Sequence, residues 1–122
     1  MKKIILDTNA LMAISEFNLD IFSALEQCCD FPYNLNVLQG TLDELKKISL
    51  EQRGKFKLAA KLALSILRSK GINVIKSSGN VDDLLVEYSK KGYLILTQDV
   101  ILKRRLHKPY LTIRQKRKIV II

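Results

Sequence analysis

A chain of 122 residues, 48% of them hydrophobic, has the length of one ordinary domain and enough apolar material for one sizeable core. Lysine and arginine number 21 against 12 acids, a formal charge of +9, which points toward a polyanionic partner such as nucleic acid. No apolar run approaches the roughly 18 residues of a membrane span, and Asp7 cuts short the run after Met1-Lys2-Lys3, so neither a membrane segment nor a secretory leader is expected and a cytoplasmic setting is.

Taken in order, Lys3 to Leu6 is a short run without polar alternation, as a buried parallel strand requires. Asp7-Thr8-Asn9 offers cap residues, and Ala10 to Ile14 suits a short helix. Leu19 to Cys29 is a second helix with Ile21, Phe22, Leu25 and Cys29 on one face. After the Phe31-Pro32-Tyr33-Asn34 break, Leu35 to Leu38 reads as the second strand. Thr41 then starts a helix whose Thr41-Leu42-Asp43-Glu44 has the form of a capping box, with Glu44 in the first turn. Arg53 to Ser69 is the longest helix, and Phe56, Ala59, Ala60, Ala63, Ile66 and Leu67 recur on its expected core face. Gly71 ends it and Ile72 to Ile75 is the third strand. Asp82 opens a helix closed by Gly92, Tyr93 to Leu96 is the fourth strand, and Val100 to Leu106 is a basic helix stopped by Pro109. Leu111 to Ile113 is the fifth strand, Arg114 to Lys118 a polar break, and Ile119 to Ile122 an apolar tail. Strands alternating with helices predict an α/β sandwich around a mostly parallel sheet of about five strands, one domain over residues 1–122.

Adjacent Cys28 and Cys29 in an apolar helix read as small buried hydrophobes. The single histidine, His107, leaves a zinc site or a histidine relay without partners, so any chemistry must run on carboxylates. Four of these fall at one edge of the expected sheet. Asp7 follows the first strand, Glu44 stands in the helix after the second, Asp82 opens the helix after the third, and Asp99 follows the fourth. Each alone suits a helix start, where an acid caps amides and complements the dipole. Together they form a set of hard oxygen donors suited to Mg²⁺ or Mn²⁺ and to phosphodiester cleavage.

The ordered pieces ILDTNALM at 5–12, DELKKI at 43–48, VDDLLVEYSKKGYLILTQD at 81–99 and LKRRL at 102–106 resemble the PIN-domain ribonucleases over nearly the whole chain. The resemblance implies a three-layer PIN-like fold and a metal-dependent ribonuclease using Mg²⁺ or Mn²⁺, with Asp7, Glu44, Asp82 and Asp99 as the matching acids. Asn9 and Thr97 match the supporting polar positions, and Thr8 lies in the same motif as a support or a cap. Adjacent helical residues face directions about 100° apart, so Asp83 is either a support for the site or solvent-facing, and Asp43 is an exposed charge.

Lys103, Arg104, Arg105, Lys108, Arg114, Lys116, Arg117 and Lys118 face almost no compensating acid and form a candidate track for RNA backbone, or else a solvated surface. TQDVILKRRL followed by RQKRK resembles the rRNA-processing PIN nucleases and their compact archaeal relatives. Toxin ribonucleases of toxin–antitoxin pairs share the acids, and a PIN-like module that binds RNA without cutting it is the third reading. Receiver domains would want paired acids and a late lysine, and HAD-type phosphatases Asp-x-Asp, neither of which Asp7-Thr8-Asn9 fits. The tail Ile119-Val120-Ile121-Ile122 either adds an edge strand to its own sheet or pairs with a second copy in a two-fold dimer.

Overall fold

The computed structural model describes residues 1–122. Its elements run β1 (Lys2–Leu6), α1 (Thr8–Glu16), α2 (Ile21–Cys28), β2 (Tyr33–Leu38), α3 (Gln39–Glu51), α4 (Gly54–Ser69), β3 (Asn73–Ile75), α5 (Val81–Lys90), β4 (Leu94–Leu96), α6 (Val100–Arg105), β5 (Leu111–Arg114) and β6 (Lys118–Ile121). Six strands form one sheet in the order β3-β2-β1-β4-β5-β6. Pairings from β3 through β5 are parallel, and β6 alone runs antiparallel, against β5.

Side-chain alternation on β1 sorts the layers. Ile4 and Leu6 join the larger core with residues of α1, α2 and α4, while Ile5 joins a smaller core with Leu85 and Val86 of α5 and Leu102 of α6. The helices therefore cover both faces of the sheet, the three-layer architecture expected. No helix is long and apolar enough to cross a membrane. Cys29 is buried and Cys28 half-buried, both free, and burial pushes the Cys29 thiol up to about 11, which keeps it a neutral packing group.

Two expectations need correction, and one open alternative is resolved. The helix after β2 begins at Gln39, two residues before Thr41, with Leu38 as an uncapped N-cap. Thr41 is inside the helix with its Oγ1 buried and unpartnered, so no capping box exists and Glu44 lies in the second turn. Phe56, placed by its spacing on the core face of α4, is 52% exposed. The tail does not leave its own sheet. Leu111↔Ile121 through Arg114↔Lys118 pair as a hairpin, and Tyr110 and Ile122 exchange both backbone hydrogen bonds. The polar break is its turn, with Gln115 and Lys116 at positive φ.

The strand order reverses between β1 and β4, because the chain leaves β1 for β2 and β3 on one side and returns to β4 on the other. Open α/β sheets have a crevice outside the carboxyl ends of the strands at such a switch point. On the β2 side, Gly40 in the first turn of α3 lets that helix meet the start of α5. A Cβ there would stand 2.6 Å from Val81 Cγ2. Valine has few χ1 states with which to retreat. Gly40→Ala is expected to lower stability by about 1–2 kcal/mol, the overpacking cost outweighing better helix propensity. Adding Val81→Ala should recover most of the loss in urea melts, and a neutral or stabilising Gly40→Ala would show that the two helix starts are not in close contact.

Candidate active site

Asp7 ends β1 and begins α1. As a cap it is atypical. Its Oδ1 accepts from the next amide, Thr8 N, at 2.8 Å, rather than from the second or third helical amide. Its Oδ2 reaches across to β4 and accepts from the Thr97 hydroxyl at 2.7 Å. Thr97 Oγ1 in turn accepts from Asp99 N at 3.1 Å. A hydroxyl has one proton, so the shorter bond to Asp7 takes it and Asn9 Oδ1, at 3.3 Å, is left to other donors. Asn9 Oδ1 receives Gln98 N–H at 2.9 Å. The crossing from β4 to α6 is thereby laced to the crossing from β1 to α1.

Asp99 is a regular N-cap, its Oδ1 accepting from Ile101 N at 2.8 Å and Leu102 N at 3.1 Å. That assignment leaves Oδ2 free. Asp82 is not a cap, because Asn80 caps α5 through Asp83 N. Glu44 is not one either, being in the second turn of α3. Of the cap roles that all four acids suit by sequence, Asp99 keeps the regular one and Asp7 an atypical one.

These four acids line one open cleft of about 430 Å³, together with Thr8, Asn9, Met12, Glu16, Ile48 and Phe56. Thr97 stays beneath it, fully buried. Thr8 is also buried and its hydroxyl has no partner. Asp83 is not in the cleft. It pairs with Arg105 at 2.6 Å, tying the start of α5 to the end of α6. Two residues with no sequence signal belong to the arrangement. Glu16 is a fifth carboxylate at the cleft wall. Gln98 Oε1 accepts from Thr112 Oγ1 at 2.9 Å and Ile113 N at 2.8 Å, docking the Thr97–Asp99 loop onto β5.

Burial is the first reason the Asp7 carboxyl is pushed up to about 6, against the lowering effect of Thr97 and Thr8 and with a small contribution from the Asp82 and Glu44 charges. Asp82 is raised by burial and then by Asp99, with Arg105 pulling the other way. Unpaired, the acids disfavour one another's charge. The donor set is all hard oxygen, with Asp99 Oδ2 free, which fits a hard divalent cation better than zinc. The cleft is open rather than a closed cage, since no three of its acids converge tightly enough to grip an ion as they stand.

The basic segments meet on the α6 side. The Lys103 ammonium is held below its ordinary range by burial and then by the Arg114 charge, so α6 and the β5–β6 hairpin bring their cations together. Arg104, Lys108 and Arg117 are exposed, Arg105 is engaged by Asp83, and Lys116 lies 5.6 Å over the Phe17 ring.

The Asp7 shift has a signed consequence. Below about pH 3.8 the carboxyl is protonated folded or unfolded. Between there and about 6 the unfolded chain has lost a proton that the fold still holds, so stability falls as pH rises, and above 6 the penalty is complete. Its size is about 3 kcal/mol. Asn at position 7 removes that penalty but offers one acceptor oxygen for two donors, at a cost of about 1 kcal/mol. Asp7→Asn in EDTA is expected to stabilise by about 2 kcal/mol at pH 7.5 and to lose that gain by pH 4, read from urea melts. An equal effect at both pH values would exclude a buried, raised carboxyl.

A family model described as a PIN-like domain matches residues 4–118. Ribonuclease VapC4 of Methanocaldococcus jannaschii is 27% identical over 125 aligned residues, 96% of this chain and 94% of that protein. Ribonuclease VapC9 of Archaeoglobus fulgidus is 30% identical over 103, covering 83% of this chain and 73% of that one. Among solved structures, the PIN domain endonuclease Utp24 has a similar fold, with a TM-score of 0.77 at 22% identity over 98% of this chain and 90% of that chain. With the switch-point cleft, the buried Asp7–Thr97 bond and a family match over almost its full length, this chain belongs to the PIN-like domain family.

Proposed function

We propose that this chain is a metal-dependent endoribonuclease that cleaves single-stranded RNA with water as the nucleophile. The observation that carries the reading is the cleft itself: Asp7, Glu44, Asp82 and Asp99, from four separate elements, line one opening in a chain of charge +9. These four residues would hold Mg²⁺ or Mn²⁺. When bound, such an ion stabilises charge building on phosphate and makes water acidic enough to attack phosphorus near neutral pH. Thr97 and Thr8 hold the Asp7 oxygens, Asn9 and Gln98 hold the loop that carries Asp99, and Asp83 fixes Arg105 beside Asp82. No histidine or cysteine lines the cleft, which leaves proton transfer to carboxylates and water.

The exposed cations Arg104, Lys108, Arg117 and Lys118, with Lys103, Arg105, Arg114 and Lys116 among them, are the track for RNA backbone. Two cellular settings fit this chemistry. The sequence from Thr97 to Leu106 and the basic hairpin favour processing of ribosomal RNA precursors. The likeness to two ribonucleases named VapC, near full-length for one of them, favours the toxin of a toxin–antitoxin pair, with an antitoxin as partner. A cytoplasmic location is part of this proposal. Self-association remains a proposal without the tail, which β5 already pairs. Co-purification of a small protein encoded beside this chain would decide for the toxin setting.

Asp7→Asn and Asp82→Asn are each expected to keep the fold and lose on the order of 10²-fold or more in cleavage rate, as removal of a charge from a catalytic metal site does. Products should carry 3′-hydroxyl ends, read by end-labelling. Activity that survives EDTA, or 2′,3′-cyclic phosphate ends, would rule this chemistry out.

Arg104→Ala and Arg117→Ala should each weaken binding to single-stranded RNA of any sequence. In a catalytically dead background each should flatten the log–log salt slope by roughly 0.7 per lost phosphate contact. An unchanged slope would place these residues against a protein or bare solvent.

A further inference from the structure

Beside the acid cleft lies a second hollow of about 350 Å³, lined by Met12, Ser15, Glu16, Lys55, Phe56 and Ala59. Met12, Glu16 and Phe56 line both spaces, so the two adjoin. Its volume falls within the range of about 300–1,000 Å³ typical of small-molecule sites. An aromatic ring, a thioether and a methyl make its walls, and one hydroxyl, one carboxylate and one ammonium supply polarity.

Two of these residues break local rules. Phe56 keeps the rhythm of the core face of α4, yet it is 52% exposed. Glu16 is in the last turn of α1, where the helix dipole repels an acid, and it has neither a basic neighbour in that turn nor an ion pair. Such departures concentrate at functional sites. The α4 N-terminus adds positive potential at the rim, because it has no side-chain cap and carries Lys55, whose Nζ stands 5.5 Å over the Phe56 ring.

We infer that this hollow is a nucleobase subsite, in which a base of the RNA strand next to the scissile phosphate stacks on Phe56 while the Glu16 carboxylate reads its edge. The inference rests on the ribonuclease reading and adds a substrate preference to it. Single-stranded RNA bases unstack from their neighbours readily and stack on aromatic side chains, which serve every base. The carboxylate supplies the discrimination. Its two oxygens accept two parallel N–H groups, and guanine alone presents N1–H and N2–H side by side on its Watson–Crick edge, whereas uracil offers a single N–H between two carbonyls that a carboxylate repels. Guanine is therefore the preferred occupant.

The chain has two methionines, so a ¹³C-methyl spectrum contains one probe inside the hollow, Met12, and one reference at the exposed N-terminus, Met1. The probe ligands are the heptanucleotides UUUGUUU and UUUUUUU, added in EDTA so that no cleavage occurs. UUUGUUU should shift Met12 by ring current, leave Met1 in place, and bind more tightly than UUUUUUU. Phe56→Ala should abolish the shift and raise KM roughly ten-fold or more with kcat nearly unchanged, the scale of a lost base stack. Phe56→Trp should restore both, and Phe56→Leu should restore neither. Glu16→Gln should keep the stack and lose the preference for guanosine. Wild-type cleavage by Phe56→Ala, with a silent Met12, would overturn the subsite alone and leave the ribonuclease reading standing. Absence of any RNA binding or metal-dependent cleavage by the parent chain would overturn both.

Discussion

The proton of the Thr97 hydroxyl decides how this molecule is arranged. It goes to Asp7, and the lone pairs of the same oxygen accept from the Asp99 amide. One side chain thus joins the ends of the two central strands, β1 and β4, at the place where the strand order reverses. The carboxylates that follow each strand are held in a fixed relation by a bond that is itself fully buried. A hydrogen bond to a charged acceptor in a dry setting is stronger than a neutral one in water, and leaving either partner alone there is costly. Everything that depends on the spacing of Asp7 and Asp99 depends on it.

Around that bond the charges are segregated. Five acids line the cleft, and the cations gather on α6 and the β5–β6 hairpin. Arg105 stands at the boundary. Asp83 holds it, and it is the one charge acting to keep Asp82 ionised against burial and the neighbouring acids. The pair is about half exposed, so its contribution to stability is small, as for surface ion pairs generally. Its effect is positional: an arginine left free among lysines would drift into solvent, whereas this one is kept beside the acids with donors to spare.

The sheet, its helices and the four acids were legible because most strands are compact apolar runs, Asp7 and Asp99 come soon after theirs, and Glu44 and Asp82 stand in the helices that follow β2 and β3. What escaped was set by tertiary contacts. Thr41 has the spacing of a cap, yet α3 starts at once after Leu38 ends β2, which carries Thr41 inside. Phe56 keeps the rhythm of the core face but lies in the first turn of α4, where the helix overhangs the cleft instead of the sheet. Gln98 looks like a spacer inside Thr97-Gln98-Asp99, and its meaning lies in Thr112 and Ile113, which nothing local announces. The tail was ambiguous because four apolar residues suit an edge strand and an interface equally. The turn that resolves it holds Gln115 and Lys116 in the left-handed region, where glycine or asparagine is the usual signal.

A carboxylate held at about 6 at neutral pH costs roughly 3 kcal/mol, a large part of the 5–15 kcal/mol that separates folded from unfolded domains. The fold can carry that cost only where it is otherwise strongest. Ile4, Ile5 and Leu6 immediately precede Asp7, Leu94, Ile95 and Leu96 immediately precede Thr97, and all six are essentially without solvent contact. The same strands that bury the acid and raise its pKa are those whose apolar burial, about 1.5–3 kcal/mol per large side chain, offsets the result. Moving the cluster outward to β3 would relieve the acids, but Asn73 and Val74 are exposed there, so that strand lacks the burial that keeps water from the Asp7–Thr97 bond. The position of the cleft is therefore a compromise between the dryness that fixes the carboxylates and the charge that dryness opposes.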